Sequence, residues 1–238
     1  MYKKFGKRVF DVVLSLLILI PFSPILMLVL LAVWISDRKS PFYLAPRVGQ
    51  NNLDFTMIKI RSMKVDADKS GVNSTSSDDV RVTRVGHFIR RFKLDEVSQF
   101  LNVIQGSMSV IGPRPNTREW GVDLYSDEEM KLLNVKPGIT DFASIVFSDE
   151  GDILLGKTNP DLHYNEFIRP WKSRLSLLNI RHSTLVIDVQ LCLLTFISVF
   201  ARKLALRKLN AILCSIGCSS DLLAVATRDS PLSPINEN

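Results

Sequence analysis

Positions 12–35 are apolar throughout, apart from Ser15, Pro21, Ser23 and Pro24. A continuous helix of that length would extend about 36 Å, enough to cross a hydrocarbon core of ~30 Å. The stretch is too long for the apolar centre of a signal peptide, and no small-x-small cleavage site follows Trp34, so the pattern predicts a retained membrane segment. Lys3, Lys4, Lys7 and Arg8 precede it and Arg38, Lys39 and Arg47 follow it, which asks for both ends on the cytoplasmic side. Pro24 removes a backbone hydrogen bond near the middle, where the Ser23 hydroxyl can re-satisfy a freed carbonyl. Two forms fit: a straight spanning anchor, or a helix that enters, bends at Ser23-Pro24 and returns to the same face.

After Ser36 the pattern becomes that of a small α/β (α+β) domain. Alternating runs at 41–48 and 53–60 flank a Gly-Gln-Asn-Asn turn and predict a hairpin whose second strand ends Lys59-Ile60-Arg61. Residues 65–83 are rich in Ser and Asp and read as a loop. Leu94, Val97, Phe100, Leu101 and Ile104 recur at three-to-four spacing and predict a helix with one buried face, stopped at Gly106. Residues 107–111 read as a short buried strand entering the stiff turn Gly112-Pro113-Arg114-Pro115, and 127–133 as helical before the turn at 136–140. Further on, Leu185, Val189, Leu193, Phe196, Ile197, Phe200 and Leu204 form one apolar stripe opposite Asp188, Thr195 and Arg202, as in an interfacial amphipathic helix. Trp171 among Arg169, Lys172 and Arg174 suits a headgroup region, and 221–238 reads as loosely ordered. The organisation is therefore a membrane helix over 1–36, a globular domain over 37–182 on the cytoplasmic side that the flanking charges ask for, and an interfacial helix with a tail over 183–238.

Composition changes this picture little. Thirty Lys plus Arg against 24 Asp plus Glu leave a net charge of +6, which suits anionic partners. No aromatic–basic strand motif or recognition helix accompanies the charge, so nucleic acid is not expected as a partner. Three cysteines, all near the C-terminus, exclude a disulfide framework and a paired Cys/His zinc site.

The densest chemistry is at 90–96, where Arg90, Arg91 and Lys93 lead into a helix start carrying Asp95 and Glu96. A helix N-terminus favours ionised carboxylates and nearby phosphate, and an ionised Asp is competent as a nucleophile toward phosphorus. Adjacent helical residues point about 100° apart, so the two carboxylates suit distinct roles better than a shared proton. Two readings stay open on the residues alone: a dipole-complementing first turn, or phosphoryl chemistry with one carboxylate attacking and one helping to hold Mg²⁺.

The run RRFKLDEVSQFLNVIQGSMSVIGPRP resembles the signature of the bacterial sugar transferases, the monotopic polyprenyl-phosphate phosphoglycosyl transferases. The resemblance covers most of the chain: the basic start into FDVVLSLLILIPFSPILM, then RVGQNNLDFTMIKIRSM, the Asp-Glu pair, GPRP and KPGIT follow in the family's order. It implies that Asp95 attacks the β-phosphate of a UDP-sugar, releasing UMP, and that Glu96 with Asp95 binds Mg²⁺. Undecaprenyl phosphate would then take the sugar phosphate from Asp95, initiating a lipid-linked glycan. It also implies phosphate contacts from Arg90 and Arg114 and from the basic strand end, Lys59 and Arg61. The membrane helix would be re-entrant, broken at Ser23 and Pro24, with the site on the cytoplasmic face of a bacterial inner membrane. In length the chain resembles the small members without a multi-span N-terminal domain, and a homodimer stays open.

The chain departs from the family at Val97-Ser98 (often Leu-Pro), Ser107 (often Asp), Asp141 (often Gly) and Phe92-Lys93 (often small hydroxyl residues). Asp141 bears on the sugar pocket or simply caps a turn; an N-acetylated amino sugar is the expected donor sugar, with glucose or galactose as alternatives. Competing with this reading are a lipid-independent nucleotide hydrolase and a catalytically inactive membrane-attached scaffold of a glycan-assembly complex.

Overall fold

A computed structural model describes residues 2–234 except 73, 120 and 230. The chain runs α1 (Lys7–Asp37), β1 (Phe42–Val48), β2 (Asp54–Ile60), α2 (Arg84–Arg91), α3 (Leu94–Val97), α4 (Gln99–Gln105) and β3 (Ser109–Ile111). It continues through β4 (Gly138–Thr140), α5 (Phe142–Val146), α6 (Glu150–Ile153), α7 (Pro160–His163), α8 (Arg169–His182), α9 (Leu185–Phe200), α10 (Arg202–Ser215) and α11 (Ser220–Thr227). β1 and β2 form the predicted antiparallel hairpin, in register from Phe42 opposite Ile60 to Val48 opposite Asp54. β3 and β4 form a second, parallel pair. The fold is thus mixed helix and strand, with one long apolar helix at its start.

The outer edge of the hairpin is closed by side chains instead of a third strand. Asn102 Oδ1 accepts from Ile58 N at 2.8 Å, and its Nδ2 donates to the Thr56 carbonyl at 2.8 Å. Ser98 Oγ donates to the Ile58 carbonyl at 3.0 Å. A two-stranded ribbon is marginal alone, and its unpaired edge groups need partners once covered. α3 and α4 supply those partners, which fixes their height along β2. α2 is set equally closely: Thr83 caps it by accepting from Gly86 N, and a Cβ on Gly86 would stand 1.8 Å from the Ser62 carbonyl. Only glycine allows that approach.

α1 grips this domain at both ends. Arg8 donates to the Val103 and Ile104 carbonyls at 2.5 and 2.7 Å, where a cation satisfies the last carbonyls of α4. Buried Asp11 accepts from Val110 N and Ser109 Oγ, while Lys7 and Tyr2 reach buried Asp188 on α9. At the other end Val29 and Val33 pack with Ile60, Ile89 and Leu94, and Asp37 pairs with Arg61. Between these anchors Leu17, Ile20, Ile25, Met27 and Leu28 are exposed. The helix continues through both prolines; Pro24 has no N–H for the Ile20 carbonyl, and Ser23 Oγ donates to it instead at 2.7 Å. Among the described residues α1 is the one helix long and apolar enough to cross a membrane.

Three expectations need correction. The helix expected around Leu94–Ile104 is interrupted at Ser98, which separates α3 from α4 while keeping helical dihedrals (φ −65°, ψ −20°); Lys93, in a left-handed conformation (φ 53°), divides it from α2. Leu94 and Phe100 face the core as expected, but Gln99, Asn102 and Val103 are buried with them while Leu101 is exposed. Trp171 is a core residue, 7% exposed, donating to the Ser233 carbonyl. The final stretch contains α11, whose Leu222 and Ala226 join the same core as Phe142, Leu175, Leu191 and Leu209; positions 235–238 lie outside the described residues. The outward stripe on α9 holds from Leu185 to Phe200, with Asp188 buried opposite; it breaks at Ala201, so Leu204 belongs to α10.

Asn102→Ala strands one N–H and one carbonyl on the edge of β2. The expected cost is about 3 kcal/mol, a fall in Tm of roughly 10 °C measured by thermal unfolding in detergent micelles. A change below about 2 °C would show that the edge is held by other contacts.

Candidate active site

β2, α2, α3 and the turn after β3 converge on the Asp95–Glu96 pair. α3 is a single turn, and its first residues carry the two carboxylates. Arg114 reaches them because β3 and β4 cross at contact distance: Gly112 N donates to the Thr140 carbonyl and Gly138 N to the Pro113 carbonyl. A Cβ on Gly138 would stand 2.2 Å from Gly112 N. That close approach throws the Pro113-Arg114-Pro115 turn toward α3.

The two carboxylates differ in their partners. Arg114 Nη2 donates to Glu96 Oε1 at 2.9 Å. Burial opposes charge on Glu96, but Arg114, with Lys93 and Lys59 nearby, outweighs it and holds the carboxyl down at about 2. The Asp95 carboxylate accepts no hydrogen bond among the described residues. Burial pushes its pKa up, countered by Lys59; adjacent Glu96 pushes it up further, against Arg90 and Arg114. Lys59 is itself pulled down to about 8 by burial and by the like charge of Arg114, against the attraction of Asp95 and Glu96. Arg90 is anchored through Nε to Ser62 Oγ at 2.9 Å. The result is one firmly ionised, paired carboxylate beside an unbonded one whose charge is poorly solvated. An anionic carboxylate without hydrogen-bond donors is the better nucleophile of the two.

Lys59, Arg90 and Arg114 are therefore gathered round the pair, and Arg61 is not. Its guanidinium spans both Asp37 oxygens at 2.5 and 2.7 Å and donates to the Ser40 carbonyl, tying the end of α1 to β2. The expectation that Arg61 meets substrate phosphate runs against this placement: its charge is paired with Asp37 and it is directed at the end of α1, away from the carboxylate pair. Lys93 and Arg47 add positive charge, the first beside Glu96 and the second beside Arg114.

Sequence reasoning missed a second ion pair in the site. Lys172 Nζ lies 2.7 Å from Glu150 Oε2 and 5.3 Å from the centre of the Tyr164 ring. Lys172 and Tyr164 line a cleft with Arg114, Tyr125 and Asp141. Asp141 is buried, caps α5 by accepting from Ser144 N at 2.8 Å, and also bonds Ser176. Of the two roles considered for it, capping is present; its place in the cleft wall also keeps it near any ligand. No spacing in the sequence brings positions 114, 150, 164 and 172 together, so only the tertiary fold exposes this group.

Fold and site define an α/β domain with an uncovered apolar helix and a carboxylate pair ringed by half-buried cations. The chain belongs to the bacterial sugar transferase family, whose model matches residues 2–202. Among curated relatives it is 39% identical to an undecaprenyl-phosphate glucose phosphotransferase of Komagataeibacter xylinus, over 72% of this chain and 34% of the relative. It is 38% identical to the UDP-glucose:undecaprenyl-phosphate glucose-1-phosphate transferase of Escherichia coli, over 69% of this chain and 36% of the relative. It is 34% identical to a UDP-N-acetylgalactosamine-undecaprenyl-phosphate N-acetylgalactosaminephosphotransferase of Aeromonas hydrophila, over 70% and 40% of the two chains. The matched part thus spans about a third to two fifths of these relatives.

The far wall of the cleft depends on Glu129, which accepts from Ser126 N, Ser173 Oγ and Arg169. Burial alone would raise its carboxyl, but these donors hold it below the ordinary 4.5. A depressed carboxylate stabilises the fold above its unfolded pKa, and that contribution is lost as pH falls through the folded value. Glu129→Gln should therefore lower stability by about 3 kcal/mol at pH 7. Its deficit against the unsubstituted protein should shrink below pH 4.5 in chemical denaturation; a deficit that stays constant with pH would exclude the charged network as its source.

Proposed function

We propose that this protein transfers a sugar 1-phosphate from a UDP-sugar to undecaprenyl phosphate, through a covalent intermediate on Asp95. The observation that carries the reading is the contrast within the pair: Asp95 unbonded among Lys59, Arg90 and Arg114, Glu96 ionised and held by Arg114. The substrates follow from the printed activities of the relatives. An Asp95 oxygen attacks the sugar-bearing phosphorus, a P–O bond forms, and the bond to the second phosphate breaks with its electron pair leaving on UMP. Lys59, Arg90 and Arg114 stabilise the charge spread over the phosphoryl oxygens. An oxygen of undecaprenyl phosphate then attacks the same phosphorus and regenerates the Asp95 carboxylate.

The donor set suits Mg²⁺, which takes one or two carboxylates and completes its shell with phosphate oxygens and water. No group of three or more potential ligating side chains exists among the described residues, so Asp95 and Glu96 would hold the ion together with the diphosphate. When bound, Mg²⁺ supplies neutralisation of diphosphate charge.

For the membrane helix the proposal is re-entry at the cytoplasmic face of a bacterial inner membrane. It is supported by the two ends of α1, residues 8–11 and 29–37, bonding or packing against one domain, and by the exposed apolar residues between them around Pro21 and Pro24. Trp34 beneath the Arg38 guanidinium, 4.3 Å away, fits the headgroup level, and the exposed stripe of α9 fits the same surface.

Incubation of lipid-reconstituted protein with Mg²⁺ and a panel of UDP-sugars, without lipid acceptor, tests the chemistry by intact mass. A sugar-phosphate adduct that Asp95→Asn abolishes is expected, and its mass names the sugar. Release of free sugar phosphate without an adduct would instead indicate hydrolysis, and no reaction across the panel would favour the inactive scaffold. For topology, Phe5→Cys and Lys39→Cys, each in a background with the native cysteines replaced by serine, should both resist a membrane-impermeant thiol reagent in intact cells. Labelling of position 5 alone would establish a spanning helix.

A further inference from the structure

The steps above leave one half-buried cation of the cleft without a task. Lys172, 12% exposed on α8, lies against Glu150 and over Tyr164, and it shares the cleft wall with Arg114 and Tyr125. Burial works against its charge, but Glu150 and then Tyr164 more than offset this, so the ammonium is kept. Glu150 in turn feels Lys172 first and then Arg114. Charges therefore alternate along the cleft from Asp95 with Lys59, through Glu96 and Arg114, to Glu150 and Lys172.

An attacking carboxylate and its leaving group lie roughly in line through phosphorus. Arg114 touches Glu96 on one side and lines the cleft with Lys172 on the other, a cleft whose wall includes neither Asp95 nor Glu96. A leaving phosphate that departs away from Asp95 moves toward Arg114 and then Lys172. We propose that Lys172 binds the phosphate of the departing nucleoside monophosphate, Glu150 holding its ammonium in place until that phosphate arrives. Extra negative charge develops on this phosphate as the P–O bond breaks, so a cation placed there favours the transition state over the bound diphosphate. The cleft between Tyr125 and Tyr164 then seats the nucleoside. This inference rests on the phosphoglycosyl-transfer reading, with UMP as the leaving group.

The test is calorimetric titration of UMP into the full chain in lipid nanodiscs, comparing wild type, Lys172→Met, Lys172→Arg and Glu150→Gln. Loss of one charge-assisted contact predicts affinity about tenfold weaker in Lys172→Met, largely restored in Lys172→Arg. Glu150→Gln should bind UMP at least as tightly as wild type, because a competing anion has gone. Equal weakening in Lys172→Met and Glu150→Gln would reduce the pair to a structural strut and overturn the proposal, as would unchanged affinity in Lys172→Met. Should Lys172→Met fail to fold, weaker binding in Glu150→Gln alone overturns it. A wild type without affinity for UMP would remove the nucleotide-donor reading as well, whereas wild-type affinity indifferent to Lys172 removes this inference only.

Discussion

The Asn102 side chain on the edge of β2 is the contact from which the site geometry follows. A carboxamide can accept and donate at once, so it substitutes for one residue of a neighbouring strand. Ser98 adds a third bond one turn earlier, at a position where the resembling family often has proline, which would carry no hydroxyl. Together they set the register between β2 and α3, and Lys59 comes opposite Asp95 and Glu96 as a consequence. An apolar contact would hold the two elements together without fixing that register, because hydrophobic burial is non-directional.

The membrane helix meets the same demand for direction. An apolar helix sitting in lipid has no reason to stop at a given depth beside a polar domain. Here polar residues at both ends supply one: Arg8 caps α4, Asp11 takes the backbone of β3, and Asp37 holds Arg61 where β2 ends. Each bond is made to an element that also carries the site. Arg61 is thus spent on locating the helix, which explains why a basic residue so near the cluster does not join it.

Much of the hairpin was legible in the sequence because its signals are local: alternation on both strands and a turn with Asn51 and Asn52 in left-handed conformations. Gly106 was legible for the same reason, its positive φ ending α4. The burial of Asn102 before it was not, since the edge of β2 draws a polar side chain inward there while Leu101 is left exposed, and apolar spacing carries no sign of that. Trp171 and its basic neighbours read as a headgroup motif until the fold places Arg169 on Glu129 and Lys172 on Glu150. The carboxylate pair and Arg114 stood out through contiguous motifs; Glu150, Tyr164 and Lys172 lie on three separate elements and carry no motif at all.

Those late elements lean on chain beyond the family match, which ends at residue 202. α10 and α11 complete the core over α5 and α8 with Leu209, Leu213 and Ala226. Asp149, next to Glu150, is held by Arg202, where the match ends, and by Arg228 from the end of α11. On either side of Lys172, Trp171 donates to the Ser233 carbonyl and Arg174 faces Asp221. Both partners of the Glu150–Lys172 pair are therefore braced from behind by the same C-terminal segment. With its backbone fixed, a lysine exchanges one anion for another by changing side-chain torsions alone, so the ordering cost of the exchange is small. The C-terminal helices thus do for this end of the cleft what Asn102 does for the other: they fix the backbone so that a single side chain can respond to phosphate.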